Sequence, residues 1–165
     1  MEPVVNDIPS ESRALHATVS EVIGELRPRL HRYAARMVGS AIDGDDVVQA
    51  SVVKALRAEP DLGSGVALER WLIRVTHNTA IDFLRARARQ AANHAAEEAD
   101  AMPDHSSRSD AGFAVRMSLQ TFMRLPALQR STVVLKDVLG YSLDEVANFT
   151  DRTVPAVKSA LQRGR

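Results

Sequence analysis

Residues 142–165 read SLDEVANFTDRTVPAVKSALQRGR, and they predict two short helices joined by a tight turn. Ser142 and Glu145, three positions apart, form a capping box, in which each side chain satisfies a backbone N–H of the other residue. A helix therefore begins at Ser142. Thr153 is the expected N-cap of the second helix, and Pro155 fits in its first turn because the N–H that proline lacks has no partner inside the helix there.

The second predicted helix carries cations and no acids. Val154, Val157 and Leu161 fall on one face of it. Lys158 and Gln162 lie away from that face. Unopposed positive charge suits contact with phosphate groups, and a helix pair of this kind places its second helix in the DNA major groove. An ordinary pair of packed helices has the same caps, so these residues alone leave both interpretations open.

The composition favours packed helices and excludes several kinds of functional site. Hydrophobic residues make up 45% of the 165 residues but aromatic residues only 4%, so we expect an aliphatic core rather than a β-sandwich. The formal net charge is +0, so only the local distribution of charge bears on nucleic-acid binding. The chain has no Cys, which excludes disulfides and thiolate metal sites. Because no apolar run approaches the ~20 residues of a membrane span and the acidic N-terminus is unlike a signal peptide, we expect a cytoplasmic protein without membrane insertion.

The first half of the sequence predicts three helices after a disordered tail at residues 1–14, which lack periodicity. Helical spacing of apolar residues follows as far as Gly39, the expected C-cap, and Pro28 should kink or divide this helix. A second helix begins with the acids at 43–46, which complement the helix dipole, and runs to about Ala58. Its apolar face is expected to contain Val47, Val48, Val52, Val53, Ala55 and Leu56.

A third helix is predicted from about Ala67 to Arg89, after a loop rich in Pro, Gly and Ser. The polar residues His77 and Asn78 interrupt its middle. Because the Asn side chain competes with the backbone for hydrogen bonds, an Asn in mid-helix needs a reason in packing or binding. His77 has no second ligand residue at a suitable spacing, so we expect a solvated or supporting side chain rather than a metal ligand.

Residues 91–110 are rich in small, acidic and Ser residues, which predicts a flexible linker and leaves open a helical start to it. Beyond it, residues 111–165 predict four helices, of which the last two are the capped pair. The helix before that pair begins at Leu125-Pro126, and its core face is expected to contain Leu128, Val133, Val134, Leu135 and Val138. The expected fold class is therefore all-α. Two small helical domains, residues 15–90 and 111–165, are joined by the linker.

Several motifs, taken in order, resemble those of bacterial extracytoplasmic-function (ECF) sigma factors. The stretch DGDDVVQ at 43–49 is similar to an acidic motif of the family's region 2. The stretch WLIRVTHNTAIDFLR at 71–85 is similar to another motif of the family, which begins with Trp-Leu and contains an Asn in its middle. The resemblance implies that residues 15–90 form sigma region 2 and that residues 111–165 form region 4, with its helix-turn-helix. The second half carries the resemblance through Leu125-Pro126, Gln129-Arg130, GYSLDEVA at 140–147 and Val157-Lys158-Ser159.

The resemblance also implies three sets of binding residues, because ECF sigma factors bind core RNA polymerase and recognise the −35 and −10 elements of promoter DNA. The set expected to contact the coiled coil of the polymerase β′ subunit is Asp46, Gln49 and Val53. The set expected to bind the −10 element, including a flipped base, is Leu62, Gly63, Arg74, Asn78 and Arg85. The set expected to read the −35 element is Arg152, Lys158, Ser159, Gln162 and Arg163.

Further partners are expected from the resemblance. These are the β flap of the polymerase for region 4 and an anti-sigma factor wedged between the two domains. The last helix stops at Arg165, earlier than is usual in the family, so a longer chain or a C-terminal regulatory domain is also expected. Pro155-Ala156 stands where the family often has Gly-Thr, and Ala50 where Glu is common. These differences bear on affinity for the −35 backbone and for polymerase.

Two other functions compete with this interpretation. A sigma-like mimic that only binds a regulator would have lost the cations of its DNA-facing helices, which this chain keeps. A helix-turn-helix transcriptional regulator would have no use for Asp46, Gln49 and Asn78. The sequence contains no nucleophile–base pair, no metal-ligand cluster and no phosphate-binding Gly loop, so we expect neither enzyme activity nor a cofactor.

Overall fold

The computed structural model describes residues 10–58, 65–97 and 119–165, and all regular secondary structure in these ranges is helical. The first two ranges contain α1 (Ser10–Val38), α2 (Ala41–Ala58) and α3 (Gly65–Glu97). The third contains α4 (residues 119–124), α5 (Ala127–Val133), α6 (Leu143–Thr150) and α7 (Val154–Gly164). The all-α fold class predicted from the sequence is confirmed.

The first domain is a bundle of α1, α2 and α3 around an aliphatic core. All three helices contribute fully buried side chains, among them Leu30, Met37, Val47, Val48, Leu72 and Ile73. α2 crosses α1 closely at Gly44, where an added Cβ would lie 2.8 Å from backbone atoms of Ala35. Helix packing therefore requires the glycine of the DGDD sequence.

Gly44→Ala is expected to destabilise the first domain, although alanine is the better helix former. Helix propensity favours Ala over Gly by about 1 kcal/mol, but the added methyl group has to push two backbones apart, and overpacking costs about 1–3 kcal/mol. Gly24→Ala is the matched control, because nothing lies within 4 Å of its added Cβ, and we expect it to raise stability. Urea unfolding curves test the difference, and equal midpoints for the two variants would count against this packing.

α1 is one continuous helix that begins earlier than the sequence predicted. It includes residues 10–14, whose Glu, Arg and Ala favour helix formation, so their assignment to the tail is wrong. Residues 1–9 lie outside the described part of the chain. Pro28 lies inside α1 without dividing it. Leu26 before it and Leu30 after it are both buried in the same core, so packing stabilises the helix on both sides of the proline.

α3 extends at both ends beyond its predicted bounds. It begins at Gly65 and ends at Glu97, so residues 91–97 of the predicted linker are helical. The residues added at the C-terminal end are mostly Ala and Glu, which are strong helix formers. The rest of the predicted linker, residues 98–110, and the start of the next predicted helix, residues 111–118, lie outside the described residues.

The second domain ends in the predicted helix-turn-helix. Ser142 Oγ accepts a hydrogen bond from the N–H of Glu145, and the Glu145 carboxylate accepts one from the N–H of Ser142, so the capping box is confirmed. Asp151 ends α6 in the left-handed conformation, with a φ of 53°. Thr153 caps α7 by accepting from the N–H of Ala156.

α5 continues into a π-helical turn, Val134–Val138, which is followed by Gly140 with a φ of 79°. Val134 and Leu135 are buried as the sequence predicted. Val138, which was expected in the core, is exposed. The wider π-helical turn changes the angle between successive side chains, so the helical spacing read from the sequence fails there.

The two domains pack against each other in this structure. α6 lies along α3, and α5 and the π-helical turn contact α1. Tyr141, which precedes α6, is buried and belongs to the same continuous core as the buried residues of the first domain. The surfaces of α3 and α6 that face each other are therefore not free to bind other molecules while this contact holds.

Candidate polymerase and nucleic-acid interfaces

One face of α2 is exposed although it carries three large apolar side chains. Its residues follow one another at intervals of four, three, four and three positions: Ile42, Asp46, Gln49, Val53 and Leu56, hereafter the α2 stripe. Ile42 is 79% exposed, Val53 45% and Leu56 36%. This alternation is the heptad spacing with which one helix packs against another in a coiled coil. The α2 stripe therefore has the form of a docking surface for a helical partner.

The sequence placed Val53 and Leu56 on the face of α2 that packs in the core, and that placement is wrong. The core takes Val47, Val48 and Ala55, which are buried. Val53 and Leu56 lie on the other side of the helix. Apolar residues therefore occur on two faces of α2. Within the part of the chain that the structure describes, one of these faces packs in the core and the other is exposed.

Asp46 is distinguished from the other acids at the start of α2 by its lack of an ion pair among the described residues. Asp43 Oδ2 accepts a hydrogen bond from Arg87 Nη1 at 3.1 Å. Asp45 Oδ1 lies 3.6 Å from Arg27 Nη2. Both of these acids are thus paired within the first domain, whereas Asp46 points outward on the α2 stripe.

His77, which is next to Asn78 in the sequence, is buried, so of the two roles that we expected for it, a solvated or a supporting side chain, the solvated one is excluded. The Tyr33 hydroxyl lies 2.7 Å from His77 Nδ1. Burial raises the pKa of Tyr33, so the neutral phenol donates this hydrogen bond and Nδ1 accepts it. Burial, followed by the charge of Arg152, lowers the pKa of His77 to about 4. The ring is therefore neutral near pH 7, with its proton on Nε2.

A cavity of about 680 Å³ lies between α3 and the second domain. Asn78 and Arg85 line it from α3, and Arg152 lines it from the turn between α6 and α7. The structure thus brings two of the predicted −10 residues together with one of the predicted −35 residues. Leu62 and Gly63, which were also predicted to bind the −10 element, lie outside the described residues.

The arginines of the predicted −10 set are paired with carboxylates. Arg74 Nη2 lies 3.9 Å from Asp151 Oδ1, across the domain boundary. Arg85 Nη1 lies 3.6 Å from Asp82 Oδ1, one turn earlier on α3. These side chains are largely exposed, and exposed ion pairs contribute only ~0–1 kcal/mol. A phosphate group can therefore replace either carboxylate at small cost.

α7 exposes most of the side chains predicted to read the −35 element. Lys158, Gln162 and Arg163 are exposed, as is Arg152 in the preceding turn. Ser159 is half-buried, and its Oγ accepts a hydrogen bond from Arg163 Nη1 at 2.7 Å. This bond holds the Arg163 guanidinium group close to α7, beside Ser159.

Three residues that the sequence did not single out as functional connect the domains. The Tyr141 hydroxyl donates a hydrogen bond to Glu69 Oε1 at 3.2 Å. Arg130 is buried and donates one to the backbone oxygen of Met37. A buried arginine is uncommon and needs partners. Knowledge of its burial would therefore have identified Arg130 as a residue with a specific role. Sequence periodicity does not show the burial of a charged residue, and Arg130 entered only as part of a motif.

The described residues contain no group of three His, Asp or Glu side chains that could hold a metal ion. None of the helices in the described ranges is both long and apolar enough to cross a membrane. Most of the described candidate binding residues are charged or amide side chains at the surface, with apolar side chains added on the α2 stripe. Such surfaces suit contact with macromolecules.

Both domains match models of known protein families. The sigma-70 region 2 model matches residues 22–90, and the sigma-70 region 4 model matches residues 119–165. The chain is 31% identical over 137 residues to the ECF RNA polymerase sigma factor SigM of Mycobacterium tuberculosis, an alignment that covers 83% of this chain and 68% of SigM. The chain belongs to the ECF sigma factor family.

Two solved structures share the fold of this ECF sigma factor. The sigma factor RpoE of Bartonella quintana, solved in complex with the anti-sigma factor NepR, matches with a TM-score of 0.64 and 22% identity, over 86% of this chain and 90% of RpoE. CnrH, solved in complex with the cytosolic domain of CnrY, matches with a TM-score of 0.61 and 26% identity, over 93% of this chain and 92% of CnrH.

As an ECF sigma factor, the protein binds core RNA polymerase and promoter DNA and acts in promoter recognition and transcription initiation. The first half of the chain, at residues 22–90, is sigma region 2. A helix-turn-helix repressor would need a ligand-sensing or dimerisation domain in that place. That alternative therefore has no support in the first domain.

Proposed function

We propose that this ECF sigma factor binds core RNA polymerase through the α2 stripe and that its partner there is the coiled coil of the β′ subunit. The exposed heptad spacing of the stripe is the observation that carries the proposal, because a coiled-coil partner presents matching rows of side chains. Ile42, Val53 and Leu56 supply apolar contact. Asp46 and Gln49, in the middle of the stripe, supply the polar contacts that set the register.

The proposed surface for the non-template strand of the −10 element is one face of α3. Arg74, Asn78 and Arg85 follow at intervals of four and seven positions, so they lie on the same side of the helix. The Asn78 carboxamide can pair with the edge of a base that has left the stack. The two arginines on either side of it can hold the backbone of the separated strand.

The proposed reader of the −35 element is α7. Lys158 and Arg163 can donate to guanine in the major groove, and Gln162 can pair with adenine. Ser159 supports Arg163 through the hydrogen bond described above. Arg152, in the turn before the helix, is placed to contact a phosphate group.

Further partners are proposed for the whole protein. Contact between region 4 and the polymerase β flap rests on the family resemblance alone. An anti-sigma factor is proposed because RpoE of Bartonella quintana and CnrH, which share the fold, were each solved in complex with such a factor or with a cytosolic domain. The protein is proposed to act in the cytoplasm, where RNA polymerase is found, without catalytic activity of its own.

Asp46→Asn is expected to weaken binding to core RNA polymerase about tenfold, and Asp45→Asn is the matched control. Both changes remove one negative charge from an exposed position of α2 with little change in shape, but only Asp46 lies on the α2 stripe. A factor of ten corresponds to ~1.4 kcal/mol, a typical loss for one charged partner in an interface. Titration of dye-labelled protein with purified core polymerase measures both affinities. Equal affinities for the two variants would rule out Asp46 as a polymerase contact.

A further inference from the structure

The cavity between α3 and the second domain has an apolar wall. Its volume of about 680 Å³ lies within the ~300–1,000 Å³ that is typical of sites for small organic ligands. α3 contributes Ile81 and Leu84 to the wall, and α5 contributes Leu128. These three side chains are half-buried, so part of each remains open to the cavity. The wall therefore offers contact to an apolar body.

His77 brings a hydrogen-bond donor to the same cavity. Its ring is only 6% exposed, and Nδ1 accepts from the Tyr33 hydroxyl, which leaves the ring proton on Nε2. This Nε2–H has no hydrogen-bond partner among the described residues. The unpartnered side-chain atoms of those residues that are sealed from solvent are Thr76 Oγ1 and Arg130 Nε, so His77 Nε2 is accessible. Because the ring lines the cavity, its proton is available to an acceptor on a ligand there.

Arg152 supplies a positive charge beside this donor. Burial and, after it, the charge of Arg152 keep the pKa of His77 at about 4. A charge shifts a pKa in this way when it is nearby, so the guanidinium group lies close to the imidazole ring. The Arg152 side chain makes no ion pair or hydrogen bond with another described residue. An acidic group in the cavity therefore finds an N–H donor and an unpaired cation together.

The other charges around the cavity compensate one another. Arg85 Nη1 lies 3.6 Å from Asp82 Oδ1. Asp151 Oδ1 lies 3.9 Å from Arg74 Nη2. Among the described residues that line the cavity, Arg152 is thus left without an opposite charge. One uncompensated positive charge matches a carboxylate better than a phosphate monoester, which carries nearly two negative charges near pH 7.

We propose that this cavity binds a small organic monocarboxylate with an apolar body. The two carboxylate oxygens accept hydrogen bonds from His77 Nε2 and from the Arg152 guanidinium group, and such charge-assisted bonds are the strong ones. The apolar body packs against Ile81, Leu84 and Leu128 and leaves water. This site goes beyond the proposed function, and none of its contacts requires polymerase or DNA.

Isothermal titration calorimetry of the full chain with 1-naphthoate tests the site, with two partial ligands as controls. Acetate carries the carboxylate without an apolar body, and 1-naphthalenemethanol carries the same body without a charge. We expect 1-naphthoate to bind at least tenfold more tightly than either control, because it alone uses both parts of the site. Binding no tighter than that of either control would overturn the proposal.

Substitutions at the polar end test the two donors. Arg152→Gln is expected to weaken binding of 1-naphthoate about fivefold, the upper range for an ion pair at an exposed position. Arg124→Gln is the matched control, because Arg124 is equally exposed in region 4 but does not line the cavity. His77→Asn keeps an acceptor for the Tyr33 hydroxyl but removes the Nε2–H, and we expect at least a threefold loss. Equal affinities in Arg152→Gln and Arg124→Gln would overturn the proposal.

A substitution that fills the cavity tests the apolar part without disturbing the core. Ala88 lines the cavity from an exposed position of α3, and Ala92 is exposed one turn later, outside the lining. We expect Ala88→Trp to weaken binding of 1-naphthoate at least tenfold and Ala92→Trp to leave it unchanged. Circular dichroism checks that both variants stay folded. Binding as tight in Ala88→Trp as in Ala92→Trp would place the ligand elsewhere and contradict the proposal.

Nuclear magnetic resonance of the histidine rings locates the ligand directly. The ring signals of His77, assigned by their loss in His77→Asn, should shift when 1-naphthoate is added. The ring of His31, whose Nε2 lies 3.0 Å from the backbone oxygen of Ala41, should not respond. A shift of His31 without one of His77 would overturn the site. Because none of these measurements contains polymerase or DNA, their failure would leave the proposed function untouched.

Discussion

Replacing Lys158 and Arg163 together by alanine is expected to lower affinity for −35 duplex DNA at least a hundredfold. Both side chains are exposed on α7, and the sequence from Arg152 to the end of the described helix contains no acid to oppose them. A good base contact contributes ~1–3 kcal/mol, and the loss of two contacts of at least ~1.4 kcal/mol each corresponds to a factor of about 100 or more. Fluorescence anisotropy of the polymerase-bound protein with a promoter duplex selected from genomic fragments measures the loss.

Arg165→Ala is the matched control for this experiment. Arg165 lies at the same end of the chain, but its guanidinium group donates to both oxygens of Asp137, at 3.0 and 2.7 Å. We expect its replacement to change affinity less than threefold. The double variant should also reduce the dependence of log affinity on log salt concentration by about 2, because two cations no longer displace counterions. An unchanged salt dependence, or an equal loss in Arg165→Ala, would remove α7 as the −35 reader.

Asn78→Ala is expected to prevent promoter melting while core polymerase still binds the protein. If the carboxamide pairs with an unstacked base of the −10 element, its removal leaves that base without a partner and shifts the equilibrium back towards the closed duplex. We expect at least a tenfold decrease in open complexes. Permanganate oxidation of unpaired thymines on a promoter fragment measures this decrease directly.

Asn93→Ala is the matched control for Asn78→Ala, because Asn93 is exposed on the same helix, away from the proposed surface. Alanine is a better helix former than asparagine at both positions, by less than ~1 kcal/mol. Loss of melting in one variant alone therefore cannot come from unfolding of α3. Equal permanganate reactivity in the two variants would show that Asn78 does not bind the −10 strand.

Structural features set by neighbouring residues could be predicted from the sequence. Ser142 and Glu145 form the expected capping box, Thr153 caps α7, and Gly39 follows α1 with a φ of 81°. In each case the interacting atoms lie within a few positions of one another. The helix-turn-helix and the all-α fold class follow from such local signals.

Contacts between distant residues could not be predicted in this way. His77 bonds to Tyr33, 44 positions away, and Glu69 bonds to Tyr141, 72 positions away. Hydrogen bonds between such pairs produce no periodicity, so the sequence left open whether His77 is solvated or supports a neighbour, and the contact between Glu69 and Tyr141 was not foreseen. Burial of these polar groups depends on how the helices pack, which a single sequence does not specify.

The two apolar faces of α2 show a different limit. The helical spacing of Val47 and Val48 predicts a buried face, but the same spacing also assigned Val53 and Leu56 to that face. Hydrophobic periodicity identifies apolar residues without showing which of them meet a partner outside the chain. The resemblance to ECF sigma factors, not the periodicity, marked Val53 as a polymerase contact. That assignment stays a prediction until polymerase binding is measured.

Run-off transcription with purified core RNA polymerase on fragmented genomic DNA tests the central claim most directly. The protein is added alone or as its Asn78→Ala and Asn93→Ala variants. An ECF sigma factor that works as described should produce discrete transcript starts that require the added protein, disappear with Asn78→Ala and persist with Asn93→Ala. Polymerase that binds the protein yet yields no new starts, or starts that do not require it, would contradict the assignment of these surfaces to promoter recognition.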